Sequence, residues 1–133
     1  MVLRFTPILA AVFATTALIA APETHAADDD VVSTKQNLHV YKGNTALGTS
    51  PSGRKFRVYF GTDGTVSYSD SKGLSQKGKW LITDDGMMCY DWQRWKDRCY
   101  SHRKDGDGFQ SYREGKTKGS RFTIAPGKVE LQK

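Results

Sequence analysis

Residues 56–68 read Phe-Arg-Val-Tyr-Phe-Gly-Thr-Asp-Gly-Thr-Val-Ser-Tyr. Phe56, Val58 and Phe60 alternate with Arg57 and Tyr59, the period of a strand that buries one face. After Asp63-Gly64, Val66 and Tyr68 resume the alternation. An Asp-Gly pair between two alternating runs predicts a hairpin, because both residues tolerate the positive φ that tight turns demand.

The same grammar extends along the chain. Trp80 and Ile82 continue the alternation as far as a turn at Asp84-Asp85-Gly86. Met88, Tyr90 and Trp92 share one face of the next strand, with Cys89 and Asp91 on the other. A return strand runs from Cys99 to Arg103, and Asp105-Gly106-Asp107-Gly108 turns the chain into Phe109–Tyr112. Phe122 and Ile124 mark a late strand, Pro126-Gly127 a turn, and Val129 and Leu131 a last short strand. Gln36 to Tyr41 fits either a first strand or one helical turn. No segment after Tyr41 sustains a 3.6-residue period, and the thirteen glycines fall mostly between the runs. The expected fold is all-β, an antiparallel meander of about eight strands. The meander is expected to close, or nearly close, into a barrel, because closure removes exposed edges.

The N-terminus carries a different signal. Arg4 precedes an uncharged run, Pro-Ile-Leu-Ala-Ala-Val-Phe-Ala-Thr-Thr-Ala-Leu-Ile-Ala-Ala (7–21), and Thr24-His25-Ala26 has the small-x-small form of a cleavage site. This is the pattern of a secretory signal peptide, predicted to be cut after Ala26. The apolar run is shorter than the roughly 20 residues a spanning helix needs, and it ends in Pro22 and Glu23. No cysteine lies near the cut, which argues against a lipoprotein. The expected organisation is therefore a signal peptide (1–26), a flexible acidic-then-polar leader (27–35) and one β domain (36–133). The location is periplasmic or secreted, and the mature chain does not span a membrane.

An oxidising compartment makes a disulfide the first reading of the only two cysteines, Cys89 and Cys99. Their midpoint is Arg94, so they fall at opposed positions of one hairpin. Two cysteines alone make a poor metal site, and neither belongs to a CxxC motif.

These landmarks resemble a known family. They are Gly43-Asn44-Thr45-Ala46-x-Gly48, Tyr59-Phe60-x-x-Asp63-Gly64-Thr65-Val66 and Gly78-x-Trp80, then Cys89-Tyr90-x-Trp92, Arg98-Cys99-Tyr100, Asp105-Gly106-Asp107 and Pro126-Gly127. The order is similar to small exported proteobacterial proteins grouped as a domain of unknown function (number 995), over Leu38 to about Gly127. The resemblance implies an envelope protein with a lipocalin-like β fold. It carries no catalytic residues.

The search for chemistry gives little. His39 and His102 are the only histidines beyond the signal peptide, and both have ordinary structural explanations. No GxSxG, HExxH, phosphate loop or dinucleotide fingerprint occurs. Asp105 and Asp107 suggest calcium, yet an EF-hand loop counted from Asp105 would have Phe109 fifth and Lys116 twelfth, where a glutamate is needed. Turn chemistry accounts for Asp-Gly pairs without an ion. Asp91 and Asp97 flank the cysteines and are nominally opposed, which a glycosidase-type pair would exploit, but nothing in the spacing requires it. No enzyme activity, cofactor or metal is expected.

The hairpin from Tyr90 to Arg103 carries more. It interleaves Trp92, Trp95 and Tyr100 with Arg94, Lys96, Arg98 and Arg103. Aromatic faces beside cations suit stacking on sugars and pairing with phosphate or carboxylate. Trp95 stands near the tip, where exposure is expected, whereas Tyr90 and Trp92 belong equally well to a core with arginines as its cover. Lys77, Lys79, Arg113, Lys116, Lys118 and Arg121 add positive charge, and the formal net charge is +6. A basic surface concentrates anionic partners. The leading expectation is a non-catalytic binding module for an acidic glycan, lipopolysaccharide or an acidic envelope protein. Export argues against nucleic acid. The alternatives are a barrel carrier of a small apolar ligand, which requires free interior volume, and a host-interaction protein such as an inhibitor.

Overall fold

A computed structural model describes residues 31–131. The expected signal peptide and residues 27–30 of the leader lie outside the described residues. The strands are β1 (Thr45–Thr49), β2 (Lys55–Phe60), β3 (Thr65–Asp70), β4 (Ser75–Ile82), β5 (Met88–Trp92), β6 (Arg98–Asp105), β7 (Gly108–Arg113) and β8 (Thr117–Ala125). Each pairs antiparallel with the next, and β8 returns to β1 with Ala46 opposite Ile124, so the eight strands close into a barrel.

The opening hairpin forms as its sequence demands. Val58 pairs with Tyr68 across β2 and β3. In the connecting turn Gly64 takes φ +86°, and Asp63 accepts the Thr65 amide and hydroxyl through one carboxylate oxygen. Inward positions of successive strands then supply the core, including Val58, Phe60, Val66, Trp80, Ile82, Met88 and Phe122. The Trp80 indole N–H keeps a partner inside this apolar layer by donating to the Gly61 carbonyl at 3.1 Å.

One end of the barrel is sealed by the segment before β1. Gln36–Tyr41 is helical, a 3-10 turn (Lys35–Asn37) running into α1 (Leu38–Tyr41). It drives Tyr41 into the barrel end, where the side chain is fully buried and meets Phe60 edge-on at 5.3 Å. The leader expected to be flexible is docked from Val31 onward. The Val32 amide donates to the His102 carbonyl at 2.7 Å, and the buried Ser33 hydroxyl donates to the Gly86 carbonyl at 2.8 Å and accepts the His102 amide at 2.9 Å. These bonds satisfy backbone that the barrel end would otherwise leave unpaired. The folded unit therefore reaches back to Val31.

Two strand assignments change. Thr45–Thr49 is a strand, whereas Val129 and Leu131 lie outside any strand. The C-terminal segment instead straps the outer wall. Thr45 Oγ1 donates to the Gly127 carbonyl at 2.7 Å and accepts the Val129 amide at 3.0 Å, and Glu130 pairs with Arg57 at 3.1 Å.

Cys89 and Cys99 stand directly opposite each other in the β5–β6 pair and are bonded. Replacing both with serine should lower unfolding free energy by about 3 kcal/mol on the chain-entropy account of so short a loop. Urea unfolding of the oxidised protein and the double variant measures it, and equal midpoints would refute it.

Candidate functional site

The barrel ends differ. The turns at 61–64, 83–87 and 106–107 lie at the end sealed by α1, which we call the floor. At the other end the connections 50–54, 71–74, 93–97 and 114–116 surround an opening. It leads into a cavity of about 730 Å³.

Small residues leave this space. Ala46, Ser111 and Gly119 line the cavity where larger side chains would fill it. The opposite wall is aromatic. Trp95 meets Trp92 edge-on at 5.4 Å, Trp92 stacks on Tyr90 at 5.1 Å, and Tyr90 lies 6.3 Å from Phe60, which touches Tyr41. A continuous ladder of rings thus runs from the mouth to the floor. Tyr68 is 4.8 Å from Trp95, and Phe56 stacks on Tyr68 at 6.0 Å. Trp95 is therefore half-buried against the wall, and the exposure expected from its loop position is corrected. Two backbone amides anchor its loop: the Arg94 amide donates to the Gln76 side-chain Oε1 at 3.2 Å, and the Gln93 amide to the Lys77 carbonyl at 3.0 Å.

Charge is one-sided. Arg94, Lys96, Arg98, Arg113 and Lys118 line the cavity, and among the described residues no aspartate or glutamate joins them. Nearby, the enclosed Asp70 carboxylate is fully engaged. It accepts the Lys72 and Leu74 amides through one oxygen, and the Tyr68 hydroxyl and Arg54 guanidinium through the other. Burial opposes its ionisation, yet the Leu74 amide, Tyr68, the Lys72 amide and Arg54 together outweigh that and hold its pKa below the ordinary range. Asp70 thereby fixes the 71–74 turn and orients the Tyr68 wall.

Of the expected site residues, Trp92, Arg94, Trp95, Lys96, Arg98 and Tyr100 all line the cavity. Arg103 does not. Tyr100 and His102 point inward, so Arg103 lies on the other face of β6, opposite Gln110 and bridged to Val31. Phe56 and Tyr68 escaped the sequence reading as site residues, and Arg113 and Lys118 figured only as added charge.

His102 belongs to the floor. Its ring is buried, shares a 3.0 Å hydrogen bond through Nδ1 with the Tyr41 hydroxyl, and lies 4.7 Å from Phe122. Burial pulls its pKa from 6.5 down to about 3 and pushes the Tyr41 phenol up. Tyr41, Phe122 and Ser33 pack around it without charge at neutral pH. The unfolded chain takes up this proton near pH 6.5, whereas the folded ring resists it. Stability from this source is whole above that pH and falls as pH drops, at about 1.4 kcal/mol per unit. Urea titrations between about pH 6.5 and 4.5 should show the loss, and His102→Gln should flatten it. Identical slopes for the two proteins would rule this out.

The floor-end carboxylates have local partners. Arg121 pairs with Asp105 at 3.2 Å and Asp107 at 3.1 Å. Among the described residues, no cluster of three or more His, Cys, Asp or Glu is placed to hold a metal ion. Asp91 and Asp97 lie outside the barrel, in a shallow groove of about 290 Å³ beside the disulfide. No family model matches the chain, and no curated protein matches it.

Proposed function

We propose that this chain is a non-catalytic binding protein whose barrel receives the apolar body of a small amphiphilic anion and holds the anionic head at a basic mouth. One observation carries the reading: a cavity of about 730 Å³ with an aromatic wall, five cationic side chains and, among the described residues, no carboxylate in its lining. The volume falls within the roughly 300–1,000 Å³ range of small-molecule sites. Rings supply contact area for an apolar body, and arginines suit a carboxylate, phosphate or sulfonate head. This joins the two expectations from sequence, an anionic partner and a ligand inside the barrel. A long glycan fits less well, because the floor closed by Tyr41 admits only a chain end. Two groups an acid–base catalyst could use already have partners: Asp70 is held by four donors, and His102, which lines the cavity, shares its Nδ1 with the Tyr41 hydroxyl, which favours binding over turnover. The export signal and the family resemblance would place such a protein where membrane-derived anionic amphiphiles occur.

Two probes that differ by a single sulfonate test this. 1-Anilinonaphthalene-8-sulfonate should bind saturably, and N-phenyl-1-naphthylamine about tenfold more weakly. Arg98→Gln with Arg113→Gln should weaken the first by roughly tenfold and leave the second unchanged. Equal affinity for both probes, indifferent to the arginines, would favour the apolar-carrier reading. Binding of neither would sink both.

A further inference from the structure

We propose that the open end of the barrel docks on an anionic lipid bilayer, turning the cavity mouth toward the membrane surface. The inference takes the proposed function as its setting, since a carrier of amphiphiles gains by meeting the bilayer mouth-first, but its evidence is separate.

The two ends of the barrel differ in net charge. The loops around the mouth carry Arg54, Lys72, Arg94, Lys96 and Lys116 against Asp97 and Glu114. At the floor Asp63, Asp84, Asp85 and Asp107 are offset by cations: Lys35 pairs with Asp84, Arg121 pairs with Asp107, and Lys42 and Lys104 lie at the same end. The excess of cations is at the mouth, so an anionic surface attracts that end more than the balanced floor and the approach is oriented as well as favoured.

The mouth also presents apolar surface among those cations. Leu74 is 44% exposed in the 71–74 turn, two residues from Lys72, and Pro51 is exposed in the neighbouring 50–54 loop. Other large apolar side chains are exposed, Leu38 near the floor and Leu81 on the wall, but Leu74 is the one set among the basic mouth loops. The Leu74 turn is held rigidly: Asp70 binds its Lys72 and Leu74 amides and also reaches Arg54 of the next loop. One buried carboxylate therefore fixes two cations and a leucine in a common rim. Trp95 adds an aromatic ring at the same level, where an amphipathic ring suits a headgroup layer. A soluble polyanion would use the cations and gain nothing from Leu74, and this selects the bilayer as occupant.

The test is co-sedimentation of the chain, as the cell processes it, with vesicles of phosphatidylglycerol and phosphatidylcholine or of phosphatidylcholine alone. Every variant carries the same N-terminus, so differences report the barrel. Binding to the mixed vesicles should exceed binding to the neutral ones by about tenfold and fall steeply between about 50 and 500 mM salt. Lys72→Glu with Lys116→Glu should weaken it by more than about tenfold, since each cation at such a surface contributes roughly fivefold. Leu74→Ser should weaken it by about threefold. The floor-end pair Lys42→Glu with Lys104→Glu should leave it within about twofold.

Equal binding to both vesicle types would overturn the proposal, as would equal loss from the mouth and floor pairs. Vesicle binding indifferent to Leu74→Ser, with heparin bound as tightly, would overturn it in favour of a polyanion face. Neither Lys72 nor Lys116 lines the cavity, so uptake of anilinonaphthalene sulfonate without vesicles serves as a separate readout. Vesicle binding lost with dye uptake intact overturns docking alone, and the converse overturns the cavity reading alone.

Discussion

Replacing Tyr41 with alanine should cost about 4 kcal/mol of folding stability, which in a domain of this size lowers Tm by roughly 20 °C. The side chain is fully buried at the sealed end of the barrel. It meets Phe60 at 5.3 Å and His102 at 5.5 Å, and its hydroxyl shares the His102 Nδ1 bond. Truncation removes a large apolar contact, leaves a void that rigid strands do not close, and strips His102 of its partner. Tyr41→Phe separates these effects. It keeps the ring and forfeits only the hydrogen bond, at about 1 kcal/mol. Urea unfolding followed by tryptophan fluorescence reads both variants. Alanine no costlier than phenylalanine would mean that the floor is held by the hydrogen bonds of the Val32 amide and Ser33 hydroxyl rather than by the ring. The Tyr41→Ala barrel should also admit the anionic dye with altered affinity, because its cavity would then be open at both ends.

The features read from sequence are those carried by local pattern. The β2–β3 hairpin rests on period-two alternation around Asp63-Gly64, and the Cys89–Cys99 pairing on symmetry about Arg94. Strand β1 was invisible for a physical reason. Its inward positions are Ala46 and Gly48, too small to mark an alternation, and it is held as a strand by pairing with β2 on one side and β8 on the other. The converse error befell Val129 and Leu131, whose alternation is real but serves a strap across the outer wall. At the site, the β5–β6 hairpin already contained six of the residues that meet at the mouth. Arg103 drops out because a run of basic residues along a strand does not share one face. Parity separates it, since Arg98, Tyr100 and His102 share one face and Arg103 takes the other. Tyr68 comes from β3, two strands away from the β5–β6 hairpin, and the curvature of the sheet brings it to Trp95, with Phe56 of β2 stacked behind it. No local pattern carries that information.

The second large effect follows from one glycine. At Gly78 of β4 an added Cβ would lie 2.3 Å from the Asp91 carbonyl oxygen and 3.0 Å from the Trp92 Cα. Both obstacles are backbone, so no side-chain rotation relieves them. Strands β4 and β5 must part. They are in register from Gly78 opposite Trp92 to Ile82 opposite Met88, and β5 carries Tyr90, Trp92 and half of the disulfide. Gly78→Ala should therefore cost about 3 kcal/mol by overpacking. The displaced Trp92 loses its stacking on Tyr90 and its edge contact with Trp95, so the aromatic wall deforms. Affinity for anilinonaphthalene sulfonate should fall by more than about tenfold at temperatures where the variant is still folded. Gly53 makes the control. It has φ +84° and open space around it, so Gly53→Ala carries only backbone strain, about 1 kcal/mol, and should leave dye binding unchanged. If the two alanine variants lose stability equally and both bind dye normally, the close approach of β4 to Trp92 is not what shapes the wall. If only Gly78→Ala loses the dye, the same backbone contact that lets the barrel close also sets the ring on which the ligand lies.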